Sequence, residues 1–130
     1  MRHIILVVGQ FTPERKETFK TIFHDVGEQN YVPVFVDVMS FLDHTHAAMI
    51  NALTGIASGI LIDLSDVPST GVMFARRSIP VQPFLMEGKV ERDVFPNFYH
   101  QMLSLRRYKS MLSLRSILSV YLHHLSTLTN

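Results

Sequence analysis

The chain has 130 residues, 47% of them hydrophobic and 18% charged, with a formal net charge of +1. This length suits one domain with a single core, and the composition excludes intrinsic disorder. The sequence contains no cysteine, which excludes disulfides, thiolate metal sites and cysteine nucleophiles and fits a cytoplasmic protein.

No apolar run approaches the roughly 18 residues that a membrane span needs. The start, Met1-Arg2-His3-Ile4, passes directly into a strand-like run, unlike a secretory signal peptide. His3 to Val8 is the first predicted strand and ends at Gly9. Thr12-Pro13-Glu14 then opens a helix, with Thr12 at the N-cap, Pro13 at the first helical position and Glu14 at the positive end of the dipole. Phe19, Ile22, Phe23 and Val26 recur at helical spacing, and Gly27 marks the end. Val32 to Val38, rich in β-branched residues, is the second strand.

Asp43-His44-Thr45 offers an N-cap for a helix reaching about Ala57. Gly59 to Leu64 is the third strand, an apolar run that stops in a polar turn containing Asp63, Ser65, Asp66, Ser69 and Thr70. A short helix is expected over Gly71 to Arg77. Val81 to Leu85 is the fourth strand, and Pro80 and Pro83 imply a place near an edge or irregular pairing. Val90 to Leu105 reads as helix, regular from about Pro96, with a short fifth strand in Leu103 to Tyr108. The last helix carries one apolar stripe of Leu114, Ile117, Leu118, Tyr121, Leu122, Leu125 and Leu128.

Strands alternating with helices imply right-handed crossovers and a parallel sheet covered on both faces. The expected architecture is a single α/β domain, a three-layer sandwich whose five-stranded parallel sheet has the flavodoxin-like order 2-1-3-4-5. Its switch point brings Gly9-Gln10-Phe11-Thr12 beside Leu64-Ser65-Asp66, where open α/β sheets bind ligands.

The run Val8-Gly9-Gln10-Phe11-Thr12-Pro13-Glu14-Arg15-Lys16 resembles the opening of a group of bacterial TIR-like domains. Further pieces that match are Tyr31-Val32-Pro33-Val34-Phe35-Val36-Asp37, Ile62-Asp63-Leu64-Ser65-Asp66 and Pro80-Val81-Gln82-Pro83. Order and spacing agree over roughly residues 3 to 88, and Arg107-Tyr108-Lys109-Ser110 extends the match. The group shares its fold with TIR domains and nucleoside 2-deoxyribosyltransferases. The resemblance implies a nucleotide or nucleoside site, NAD among the candidates, and a self-associating signalling role. In catalytic relatives a glutamate on the helix after the third strand supports cleavage of the N-glycosidic bond. Here Val67 to Ile79 contains neither Glu nor Asp, and the next carboxylate is Glu87. This departure points away from glycohydrolase activity.

The candidate ligand residues are Gly9, Gln10, Phe11, Thr12, Arg15, Asp37, Asp63, Ser65 and Asp66. Asp63 and Asp66 could bind a ribose hydroxyl or steady an oxocarbenium-like centre, or else cap the local turn. Ser65, Ser69 and Thr70 suit either phosphate binding or turn chemistry. Gly9 to Thr12 precedes a helix N-terminus, which favours an anion, but it is neither a Walker nor a dinucleotide fingerprint. Arg15 either reaches a phosphate or lies on the solvated surface, and Asp37 either meets a ribose hydroxyl or caps a loop. Neither the His44 and His46 pair nor the adjacent His123 and His124 has metal-ligand spacing, and no nucleophile-elbow motif is present.

The charge is unevenly distributed. Up to Thr70 four basic residues stand against eight acidic ones, a net of −4; from Gly71 onward eight face three, a net of +5. Such a split suits heterologous contact between copies, and equally suits one domain with intermixed surface charge. Nucleic acid and membrane are not expected partners. The leading reading is a non-catalytic TIR-like signalling or assembly module that binds a nucleotide at the first and third strand ends. The alternative is an NAD or nucleoside N-glycosidase using an unusual carboxylate, Asp66 or Glu87.

Overall fold

The computed structural model describes residues 3–37, 52, 55–65, 79–89 and 103–128. Its elements are β1 (His3–Gly9), a 3-10 turn (Pro13–Arg15), α1 (Lys16–Glu28), β2 (Tyr31–Asp37), β3 (Ala57–Asp63), β4 (Val81–Met86), β5 (Arg106–Tyr108) and α2 (Met111–Leu128). The five strands form one parallel sheet of order β2-β1-β3-β4-β5, as the alternating pattern predicts.

Both faces of the sheet are buried, which explains why its strands are runs of apolar residues and not alternating ones. Ile5, Val7, Leu61 and Phe84 face α1 and α2. Leu6, Val8, Ile60, Ile62 and Val81 form the core of the opposite face. α1 contributes Ile22 and Val26 at fourfold spacing, and α2 contributes Leu114, Ile117, Leu118, Tyr121, Leu122 and Leu125. The stripe stops there: Leu128 is 55% exposed.

Several boundaries differ from expectation. Thr12 has extended backbone, but its side chain makes no capping bond; the first turn is 3-10, closed by Arg15 N–H to Thr12 O at 3.0 Å. α1 runs past Gly27 to Glu28, and after the cap residue Gln29 the chain turns at Asn30, whose φ of 66° lies in the left-handed region that asparagine tolerates. Ala57 is the first residue of β3, not the end of a helix. The expected helices over 71–77 and 90–102, and most of that from Asp43, lie outside the described residues, and Leu103–Leu105 is not helical.

Pro83 sits in β4, between β3 and the edge strand β5, a place near an edge as the prolines imply. The carbonyls of Pro80 and Phe84 accept from Ile60 and Leu64, while that of Val81 accepts from Leu103 on the other side. Residue 83 therefore faces β5, and its missing N–H costs β3 nothing. Gln82 supplies the donor instead: its side-chain Nε2 donates to Ser104 O at 3.0 Å and to Pro83 O at 2.7 Å.

Gly59 admits a close approach of α2 to the sheet. A Cβ there would collide with the Tyr121 hydroxyl and stand 3.0 Å from Leu125 Cδ1. The buried Tyr121 hydroxyl donates to Pro80 O at 2.8 Å, so the phenol is both packed and satisfied. Desolvation pushes its pKa up.

The acidic front and basic back of the chain meet within one copy. Arg115 Nε donates to Asp25 Oδ2 at 3.1 Å, bridging α2 and α1. Arg107 Nη1 donates to Lys89 O at 2.9 Å.

Candidate functional site

The sheet's carboxyl end collects most of the sequence candidates. Gly9 closes β1 and pairs in register with Asp37, the last residue of β2. Asp63 closes β3 on the other side of β1, and a Cβ on Gly9 would stand 3.4 Å from Asp63 Cβ. The same added atom would stand 2.6 Å from Phe19 Cζ. Glycine at this position therefore lets α1 close onto the strand end.

Asp63 is 2% exposed, and protein donors hold both of its carboxylate oxygens. Oδ1 accepts from Ser65 N at 2.9 Å and from Ser65 Oγ at 2.6 Å. Oδ2 accepts from Tyr108 Oη at 3.2 Å. Each donor is itself supported. Met86 N–H donates to Ser65 Oγ at 2.9 Å, and the Thr18 hydroxyl lies 3.3 Å from Tyr108 Oη. Because Tyr108 gives its proton to Asp63, Thr18 is the donor of that pair. Two relays thus converge on one carboxylate, from β4 through Ser65 and from α1 through Tyr108. Chains of this kind are strong when every member is satisfied.

Burial raises the Asp63 carboxyl above its usual pKa; the Ser65 hydroxyl and amide, the nearby Arg15 charge and the Tyr108 hydroxyl oppose that shift. Burial also raises the Tyr108 phenol, and the Asp63 charge adds to the effect.

Arg15 overturns the solvated-surface reading. It is 3% exposed, with Nη1 3.5 Å from Met86 Sδ. A buried guanidinium near a buried carboxylate offsets part of the cost of desolvating each.

Gln10 and Thr12 are half-buried in the loop between β1 and the 3-10 turn, and Phe11 is exposed there. Thr12 Oγ1 is buried with no hydrogen-bond partner among the described residues. Ser65 borders the buried cluster, whereas Asp66, Ser69 and Thr70 lie outside the described residues, as do His44 and His46. Glu87 is exposed on the turn after β4, with its N–H donating to Tyr108 O at 2.8 Å.

Sequence reasoning missed Thr18 and Tyr108. Tyr108 did leave a trace, as the lone apolar residue in Arg106-Arg107-Tyr108-Lys109. In a short edge strand the residue between charged neighbours is the one that turns inward. Thr18 left none, since a threonine inside an amphipathic helix usually marks its polar side.

No protein-family model matches the sequence, and no curated protein matches it. Among solved structures the fold is similar to part of the lysine decarboxylase LdcF of Francisella novicida, with a TM-score of 0.53 and 9% identity. That similarity covers 92% of this chain and 17% of the decarboxylase chain. At such identity it supports the parallel α/β architecture and nothing about activity. No described helix is long and apolar enough to cross a membrane.

Proposed function

We propose that this chain is a TIR-like module that binds a nucleotide at the carboxyl ends of β1 and β3 and works through binding and self-association, without turnover. The observation that carries this reading is the adjacency of Gly9 and Asp63 on neighbouring parallel strands, with the Gln10–Thr12 loop leading from that point into α1. The sheet order makes this the crevice in which doubly wound folds hold ligands. The group resembled in sequence places nucleotides at the same end.

The state of Asp63 supports binding over catalysis. An acid that attacks or steadies a sugar carbon must present an oxygen to it. Here both oxygens are taken by Ser65 and Tyr108 inside the protein. Asp63 braces the strand end with Ser65, and the Gln10–Thr12 loop beside it is left to meet a ligand.

Titration of the isotope-labelled chain with adenosine monophosphate and with NAD tests this. Saturable shifts at Gly9, Gln10 and Ser65 with no released nicotinamide are expected. Unchanged spectra at millimolar nucleotide would remove the binding reading. Robust nicotinamide release that disappears in Glu87→Ala or Asp66→Ala would replace it with the N-glycosidase.

A further inference from the structure

Beside the crevice, on the β2 side of α1, lies an open cleft of about 560 Å³ walled by phenylalanines 11, 19, 23 and 35. We infer that this cleft is an aromatic subsite that holds a flat ring carrying an anionic group, and that it takes the base of the nucleotide. The second half of this statement rests on the function proposed above; the first half stands by itself.

The walls come from three separate elements. Phe11 is on the loop after β1, Phe19 and Phe23 are one turn apart on α1, and Phe35 is on the edge strand β2. Phe11 and Phe19 meet edge to face with centroids 4.7 Å apart; Phe19 and Phe35 do so at 6.0 Å. These contacts fix the floor. Phe23 and Phe35 lie within 26° of parallel with centroids 6.3 Å apart, so their ring faces are aligned along one direction. Phe11 remains 40% and Phe23 61% exposed. Grouped aromatic exposure at the ligand-binding end of an α/β sheet differs from the single surface apolar residues that every protein has. The volume is that of a small-molecule pocket.

Charge selects the occupant. Among the described residues, Lys16 is the one ionisable side chain lining the cleft. It stands at the first position of α1, where the helix end also favours negative charge. An apolar aromatic wall with a single cation suits a planar ring bearing phosphate, sulfonate or carboxylate. It disfavours a cationic ring and gives a bare sugar phosphate nothing to stack on.

The test compares adenosine monophosphate, ribose phosphate and anilinonaphthalene sulfonate on the labelled protein. Adenosine monophosphate should shift Phe11, Lys16, Phe23 and Phe35 and bind about tenfold or more tightly than ribose phosphate. Phe23→Ser, at an exposed helical position, should abolish that advantage and leave ribose phosphate binding unchanged. Lys16→Gln should weaken all three compounds.

If the two phosphates bind equally and only Gly9 and Ser65 respond, the subsite is refuted while nucleotide binding stands. If only the sulfonate binds in the cleft, the aromatic-anion site stands and the nucleotide reading fails. If the cleft resonances respond to none of these compounds, or respond to protein concentration alone because a second copy fills the cleft, the inference is overturned.

Discussion

Tyr108 donates its phenolic proton to Asp63 across 3.2 Å, tying the edge strand β5 to the central strand β3 through a carboxylate that water does not reach. Removing that acceptor strands buried donors, which costs about 1–3 kcal/mol. Asp63→Ala should therefore lower the unfolding free energy by about 1–3 kcal/mol. Asp63→Asn, which keeps an acceptor for Ser65, should lose less. Chemical denaturation of the three proteins measures the order.

The same residue should give stability a pH dependence of unusual sign for an aspartate. Burial raises its folded pKa above the ordinary value of 3.8. Between the two values the folded state holds more protons than the unfolded one. Its contribution is therefore fully present below 3.8 and is lost as pH rises through the raised folded value. The stability difference between wild type and Asp63→Asn should fall with rising pH across that window. A difference that grows instead would mean that the hydrogen bonds and Arg15 outweigh desolvation.

Gly59→Ala should be strongly destabilising, because the new methyl group meets the Tyr121 hydroxyl and Leu125. Overpacking of this kind costs about 1–3 kcal/mol. Tyr121→Phe removes one bond to Pro80 O and should cost about 0.5–1.5 kcal/mol. In Tyr121→Phe the Gly59→Ala penalty should shrink, since the colliding oxygen is gone. Thermal melts of the double-mutant cycle measure this coupling.

Gln82→Leu should destabilise the β4–β5 seam, because Ser104 O loses its donor where Pro83 has none to offer. The expected loss is about 1 kcal/mol. Faster amide exchange in β5, with β1 and β2 unchanged, is the local signature.

Arg115 and Asp25 should couple weakly, by about 0.2–1 kcal/mol in a double-mutant cycle, since Arg115 is more than half exposed. That internal pairing also revises the basis for self-association. Arg106 and Lys109 are exposed on β5 and just after it, and they, not Arg115, should carry any salt-sensitive contact between copies. Light scattering across a salt series on Arg106→Gln and Arg115→Gln should separate them.

The sheet was legible in the sequence because its strands are double-sided. Runs such as Ile60-Leu61-Ile62 must be covered on both faces, which forces helical crossovers and parallel pairing. Gly9 and Asp63 were legible as strand ends because each closes an apolar run. The condition of Asp63 was not. Whether an aspartate at a strand end is wet or sealed depends on Ser65, Thr18 and Tyr108, the last two 45 residues or more from it in the chain, and no local pattern encodes their convergence. Arg15 misled for the same reason. Its place in the first helical turn suggests solvent, but the 3-10 geometry of Pro13–Arg15 turns it inward. Pro83 marked β4 as lying near an edge, but which neighbour its missing N–H faces is a matter of register, which a strand's own residues do not specify.

The two edges of the sheet are unequally fastened: seven residue pairs hold β2 to β1, and three hold β5 to β4. Sub-global opening begins where the fewest bonds must break, so the β5 edge should open before the β2 edge, with faster amide exchange as its sign. β5 carries Tyr108, and its departure would remove the donor from Asp63 Oδ2 and admit water to the carboxylate. Opening of that edge would thus bring the driest acid in the described fold to solvent, while the glycine beside it on β1 lies under Phe19. Its proton would exchange at the rate at which a three-residue strand lets go.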